Sequence, residues 1–160
     1  CRYWPLPGGE LAIRQPWRLA VWQLYQLYGR DFTRLPLAWL DKLPPAWELV
    51  IQATERGLNA PLASGAGRIF DTVAALLGIC TQVTYEGQAA SELEQAATGR
   101  TGEVLPYQIE PGVPLQLDMQ PALAALCERL RQGVPVGQLA ADFHATFAQA
   151  MPGHNNFASR

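Results

Sequence analysis

The sequence has little charge and almost no lysine. Charged residues make up 16% of its 160 residues, and Lys42 is the only lysine among 12 basic side chains. The net charge of -2 gives no electrostatic footprint for nucleic acid or for an anionic membrane, so neither is a predicted partner. Hydrophobic residues account for 49%, which is typical of a globular chain that can build one domain with a real core.

Cysteine and histidine are also scarce. Cys1, Cys80 and Cys127 are widely and irregularly spaced, and no CxxC occurs, which argues against a zinc knuckle and a disulfide framework. Cys80 and Cys127 lie in apolar helical contexts and are predicted to be buried thiols. Two histidines ten residues apart, His144 and His154, are not a metal site, and His144 is expected to be a hydrogen-bonded core residue. No Ser–His–Asp triad can be assembled, so no catalytic residue is predicted.

Long apolar runs are absent as well. None approaches the roughly 18 residues of a membrane-spanning helix, and no signal-peptide pattern begins the chain, so a cytoplasmic protein is expected. The first residue is not Met, and residues 152–160 break the preceding helical pattern abruptly. We therefore expect an internal fragment of a longer protein that ends in a disordered tail over 152–160.

The remaining pattern is mainly helical. Proline at helix starts and glycine at helix ends delimit most segments, and a hairpin is expected around Pro111-Gly112, confined to an edge by its prolines. The predicted helices are Trp17–Tyr28, Leu35–Leu43, Pro45–Arg56, two within the central stretch Ala60–Glu94, Gln120–Gln132 and Val136–Met151; the predicted strands are Val104–Ile109 and Val113–Leu117.

A loop of small residues, Ser64–Gly67, runs directly into the first central helix. Glycines allow a ligand to approach the backbone, and a helix N-terminus offers unpaired N–H groups. Arg68 and Asp71 follow within one turn, on a side of the helix that otherwise carries small residues. The segment is neither a P-loop nor a GxGxxG motif. It is interpreted either as one wall of an anion or nucleotide site or as a helix cap followed by a surface ion pair.

Two other segments have plainer interpretations. In Tyr85–Gln88, Glu86 precedes a helix and is explained by the helix dipole alone. Gly8–Glu10 and Arg14–Arg18 are explained by a turn and a helix start. On the residues alone these structural interpretations are favoured, and no reaction is predicted.

Four segments nevertheless carry a family resemblance. Pro7–Arg18 reads PGGELAIRQPWR, Gly67–Gly78 reads GRIFDTVAALLG, Tyr85–Ala90 reads YEGQAA, and Ala141–His144 reads ADFH. These segments resemble motifs of the HypF carbamoyltransferases of nickel–iron hydrogenase maturation, over about residues 4–150. One departure is Ala63-Ser64-Gly65, where the family usually has Thr-Ser-Ser.

The resemblance implies a function. Such enzymes use carbamoyl phosphate and ATP to make carbamoyl-adenylate, and then pass the carbamoyl group to the C-terminal cysteine of HypE on the route to the cyanide ligands of the hydrogenase. The expected partners are therefore HypE, carbamoyl phosphate and ATP. A divalent metal, Zn, Fe or Mg, is expected in the full-length parent but on residues outside this chain, and the chain alone is expected to be inactive.

The resemblance also implies a fold and a site. Residues 1–151 are expected to be the helical portion of a C-terminal domain with the actin-like ATPase (ASKHA) fold, mainly α with a minor β-hairpin. By motif position, Asp71 is implied to bind ribose, since a carboxylate can accept from both sugar hydroxyls. The implied nucleotide-binding residues are Ser64, Gly67, Arg68, Asp71, Glu86, Gly87 and Gln88. Two alternatives remain: a tRNA threonylcarbamoyladenosine transferase relative, and a non-catalytic helical interaction module.

Overall fold

The structure, a computed structural model, describes residues 1–151. The described residues divide into two compact units, one of Tyr3–Leu93 and one of Cys1–Arg2 with the residues from Glu94 to Met151. They are called here the N-terminal unit and the C-terminal unit. The predicted tail over 152–160 lies outside the described residues.

The N-terminal unit is built around two helices. Its elements in chain order are β1 (Trp4–Pro5), α1 (Glu10–Arg14), α2 (Trp17–Tyr28), 3-10 segments at Gly29–Arg34 and Ala38–Lys42, α3 (Trp47–Glu55), β2 (Leu62–Ala63), α4 (Ala66–Leu76) and the start of α5 (Gln88–Ala97). Helix α2 packs against α4, α3 and the first 3-10 segment. The predicted apolar stripe of α4 is buried as expected, from Ile69 to Leu77.

Gly78 ends α4 for a conformational reason. Its φ of 71° lies in the left-handed region, which glycine adopts at little cost. A side chain there would also press on Trp39. The Trp39 indole N–H donates to the Leu76 carbonyl oxygen at 3.1 Å, so the end of α4 is tied to the second 3-10 segment.

The C-terminal unit consists of a hairpin and two long helices. β3 (Gln108–Glu110) pairs antiparallel with β4 (Gln116–Asp118), and α6 (Gln120–Arg131) packs against α7 (Val136–Ala150). Asp118 was predicted to cap α6, but the N-cap residue is Met119. Asp118 precedes it and accepts a hydrogen bond at 2.9 Å from the backbone N–H of Gln120, the first residue of the helix. Gly102 passes so close to α7 that a Cβ there would overlap the Ala141 carbonyl oxygen.

The fold-class prediction is confirmed, with local corrections. Both predicted strands are shorter and lie further along the chain, because Pro106 and Pro114 cannot donate to the ladder. The predicted helix Leu35–Leu43 is a 3-10 segment over Ala38–Lys42. Helix α1 and the pairing of β1 with β2 were not predicted. A helix of five residues leaves little periodicity to detect, and a two-residue pairing across a long separation leaves no local pattern.

Candidate functional site

An open cavity of about 790 Å³ lies in the N-terminal unit, and charged side chains contribute to its wall. Arg14 from the end of α1 and Arg68 from the first turn of α4 provide two guanidinium groups. Glu86 provides one carboxylate. The full lining is Ile13, Arg14, Arg68, Val83, Thr84, Tyr85 and Glu86. The formal charge of this lining is +1, because two arginines outnumber one glutamate.

Backbone hydrogen bonds bring these segments together. The N–H of Val83 donates to the carbonyl oxygen of Arg14 at 2.9 Å, and the N–H of Trp17 donates to that of Thr81 at 3.2 Å. The segment 81–83 therefore runs beside the junction of α1 and α2. This pairing places Arg14 opposite Thr84–Glu86, which sequence reasoning did not foresee.

Arg68 and Asp71 form the predicted pair at one helical turn. The Nη1 atom of Arg68 lies 3.0 Å from Oδ2 of Asp71. The Arg68 side chain is 22% exposed and reaches the cavity, whereas that of Asp71 is 10% exposed and does not line it. Burial raises the pKa of the Asp71 carboxyl, and the positive charge of Arg68 partly offsets that shift. The surface-pair interpretation is therefore wrong about location, because both partners are largely buried.

The Arg68 nitrogen that pairs with Asp71 is buried. Nη1 is shielded from solvent, and within residues 1–151 it has no acceptor in hydrogen-bond geometry despite its proximity to Asp71. A buried donor without an acceptor is costly. Because Nη1 itself is shielded, a ligand in the cavity would meet the exposed part of the Arg68 side chain, and a guanidinium at a cavity wall suits an anionic or carbonyl ligand.

Gln88 is engaged by its neighbours. Its Oε1 accepts from the backbone N–H of Thr84 at 2.7 Å and from the Thr84 hydroxyl at 3.2 Å. Its Nε2 donates to Oε1 of Glu92 at 2.8 Å. Gln88 itself is half-buried and does not line the cavity. It is connected to the cavity wall only indirectly, through its hydrogen bonds to Thr84.

The other predicted residues do not line the cavity. Ser64 is half-buried between β2 and α4, Gly67 is exposed in the first turn of α4, and Gly87 is exposed with a φ of 81°. Their nucleotide-binding roles, like that of Asp71, stay predictions.

Arg14 is the charged cavity residue that sequence reasoning missed; the uncharged lining residues Ile13, Val83, Thr84 and Tyr85 were not predicted either. Arg14 was assigned to a turn and helix start, although it belongs to the PGGELAIRQPWR segment that carries the family resemblance. It also borders a second depression of about 340 Å³, whose wall includes Gly8, Glu10 and Asn59. Unlike Arg68, Arg14 is exposed and lies within no carboxylate's ion-pair distance in the described part of the chain.

The scarce cysteines and histidines do not build a further site. Cys80 and Cys127 are buried thiols, as predicted. Burial, with the nearby Glu92 carboxylate, raises the pKa of Cys80 to about 11. His144 is half-buried, and its ring centroid lies 5.8 Å from that of Phe143. Across residues 1–151, His, Cys, Asp and Glu nowhere cluster in threes in a way that would hold a metal ion. The same residues contain no helix long and apolar enough to span a bilayer.

Comparison with known proteins decides the family. A family model described as "Carbamoyltransferase, Kae1-like Domain, second subdomain" matches residues 1–156. The chain belongs to the HypF carbamoyltransferase family. Carbamoyltransferase HypF of Rhodobacter capsulatus is 40% identical over 149 residues, and that of Rhizobium leguminosarum bv. viciae is 38% identical over 149 residues. These alignments cover 91% and 89% of this chain.

Solved HypF structures share the fold. A full-length HypF, described as in its phosphate- and nucleotide-bound form, superposes with a TM-score of 0.79 at 30% identity over 92% of this chain. HypF of T. kodakarensis gives a TM-score of 0.76 at 26% identity over 93% of the chain. The chain covers only 19% and 20% of those structures and 18% of each of the two curated relatives. It thus corresponds to a small part of a HypF carbamoyltransferase.

Proposed function

We propose that this chain forms one wall of the nucleotide site of an ATP-dependent carbamoyltransferase, centred on the cavity between Arg14, Arg68 and the 83–86 segment. The observation that carries the proposal is a pair of arginines that line the same cavity: Arg14, which is exposed and has no ion-pair partner among residues 1–151, and Arg68, which Asp71 holds at the wall. A HypF relative whose structure is described as phosphate- and nucleotide-bound supports this ligand class.

The residues of the wall suit the parts of a nucleotide. Guanidinium groups bind phosphate oxygens with paired, charge-assisted hydrogen bonds. Tyr85 is 59% exposed and offers an aromatic face on which a base can stack. Asp71 does not line the cavity and orients Arg68 through their ion pair. For Asp71 to make the predicted ribose contact, its buried carboxylate would have to become accessible.

In the proposed reaction of the complete enzyme, water cleaves carbamoyl phosphate to carbamate and phosphate, and a carbamate oxygen then attacks the α-phosphate of ATP to give carbamoyl-adenylate and pyrophosphate. The thiolate of the C-terminal cysteine of HypE next attacks the carbamoyl carbon, which forms a thiocarbamate and releases AMP. This chain would hold the nucleotide and orient it. No described residue is assigned to a metal, because the His, Cys, Asp and Glu side chains of residues 1–151 do not fit one. The expected divalent metal, the inactivity of the chain alone and the cytoplasmic location stay proposals.

The test is the affinity of the complete enzyme for ATP after Arg14→Gln. A hydrogen bond to a charged group contributes about 1.5–3 kcal/mol, so the dissociation constant should rise roughly 10- to 100-fold. Arg14 is exposed, so its loss should leave stability nearly unchanged.

Arg56→Gln is the matched control. Arg56 is exposed in the same unit and lies outside the lining of this cavity, so the same loss of charge should leave ATP affinity unchanged. If Arg14→Gln and Arg56→Gln bind ATP with equal affinity, this cavity is not part of the nucleotide site. A non-catalytic interaction module would give that same result.

A further inference from the structure

The loop that supplies half of the cavity wall is held in place by backbone and side-chain hydrogen bonds. At one end, Val83 is bonded through its backbone N–H to Arg14. At the other, Thr84 is held by the Gln88 side chain through its backbone N–H and its hydroxyl, at 2.7 and 3.2 Å. Thr84, Tyr85 and Glu86 are otherwise exposed. Their position therefore depends on these attachments and on a longer hydrogen bond, 3.4 Å, from the backbone N–H of Gln88 to the carbonyl oxygen of Tyr85.

The Gln88 amide is oriented by Glu92, which lies on the same helix, α5. Glu92 lies one turn further along α5, and its Oε1 accepts from Nε2 of Gln88 at 2.8 Å. This bond decides which end of the amide faces the loop, since Glu92 ionised is only an acceptor and must face the amide NH₂ group. Oε1 is then the atom directed at Thr84. Glu92 also interacts with the buried Cys80 thiol, which ties the carboxylate to the segment entering the loop.

The engagement of both amide ends argues against Gln88 as a direct ligand. Its Oε1 already accepts from two donors, and one of its two N–H groups is used by Glu92. The residue is half-buried behind the wall. The cavity is lined by the residues that Gln88 holds.

We propose that Gln88 is a positioning residue, which acts through Thr84 and with Glu92 to hold the 83–86 segment where it can contact the nucleotide. This inference rests on the proposed nucleotide site. It differs from the prediction that Gln88 itself binds the nucleotide. The clamp is defined here as Thr84, Gln88 and Glu92.

Two substitutions can break the clamp and then rebuild it, and neither changes the number of non-hydrogen atoms. Gln88→Glu keeps an acceptor for Thr84 but removes the donor to Glu92 and sets two carboxylates against each other. Adding Glu92→Gln rebuilds the pair in reverse, because the new amide at position 92 donates to the new carboxylate at position 88. Gln95→Glu is the control for charge, since Gln95 is exposed on the same helix.

The experiment measures the KM for ATP, the KM for carbamoyl phosphate and the thermal midpoint in the complete enzyme. Gln88→Glu should raise the KM for ATP about tenfold, the double variant should return it to within about threefold, and Gln95→Glu should leave it unchanged. The KM for carbamoyl phosphate should not move. A merely structural role would instead change both constants together with the thermal midpoint.

The outcomes separate this inference from the proposed function. If Gln88→Glu raises the KM for ATP and the double variant does not restore it, the positioning role is overturned and direct binding by Gln88 is favoured. If only Arg14→Gln weakens ATP binding, the clamp is overturned and the nucleotide site stands. If neither Arg14→Gln nor Gln88→Glu affects the nucleotide, both proposals fall.

Discussion

The Arg68–Asp71 pair shows how burial sets the properties of single residues at this cavity. Asp71 is 7% exposed overall, and the desolvation of its carboxylate raises its pKa even beside a guanidinium. An ion pair in such a place contributes little net stability, because the cost of desolvation offsets the attraction. Its value is geometric: it fixes the guanidinium of Arg68 at the cavity wall.

The direction of this pKa shift predicts how stability depends on pH. An acid whose pKa is higher in the folded than in the unfolded chain binds more protons when folded, so its contribution to stability falls as pH rises through that window. The window begins near the ordinary value of 3.8. Asp71→Asn should therefore gain stability relative to the natural chain as pH rises from about 4 towards neutrality.

Urea unfolding of both proteins at several pH values measures this difference. Asp41→Asn serves as the control for the loss of a surface carboxylate, since Asp41 is exposed. A difference for Asp71→Asn that stays constant or shrinks with rising pH would contradict the burial argument.

At the scale of the element, α7 is held to the chain before the hairpin by a buried carboxylate. Asp142 is fully buried and accepts from the backbone N–H of Glu103 at 2.9 Å, from Nη1 of Arg129 at 2.6 Å and from Nε2 of Gln138 at 2.9 Å. Glu103 also pairs with the other guanidinium nitrogen of Arg129. The network joins α6, α7 and the 101–103 segment.

Asp142→Ala should accordingly destabilise the chain strongly. Removing one member of a buried, hydrogen-bonded pair costs about 3–5 kcal/mol, and the lower value is expected because Arg129 is 32% exposed. Chemical denaturation measures the loss. Asp31→Ala removes a pair whose side chains are 84% and 77% exposed and should cost less than about 1 kcal/mol. Similar losses for the two variants would refute the assigned importance of the network.

Long helices, whose apolar pattern repeats over several turns, were predictable from the sequence. Short elements and contacts between distant segments were not. Helix α2 begins and ends where Pro16 and Gly29 indicated, at Trp17–Tyr28. The five-residue α1 was hidden behind the turn signal Pro7-Gly8-Gly9. The candidate site divides the same way. Arg68 was found from its spacing in a helix, whereas Arg14 enters the cavity through a backbone contact with Val83 that no local pattern encodes.

At the scale of the whole molecule, the chain is a minor part of the enzymes that it resembles. It spans 18% of two curated HypF relatives and 19% of a full-length HypF structure. An open cavity with one cationic wall is what such a part should present if the opposite wall comes from other segments of the enzyme. We therefore expect the 160-residue chain alone to bind ATP weakly.

A crystal structure of the complete enzyme with a non-hydrolysable ATP analogue tests the central claim most directly. The account predicts that the bound analogue contacts Arg14 and Arg68, with the 83–86 segment beside it and Gln88 still bonded to Thr84. A nucleotide bound in the enzyme without contact to Arg14, Arg68 or the 83–86 segment would contradict it.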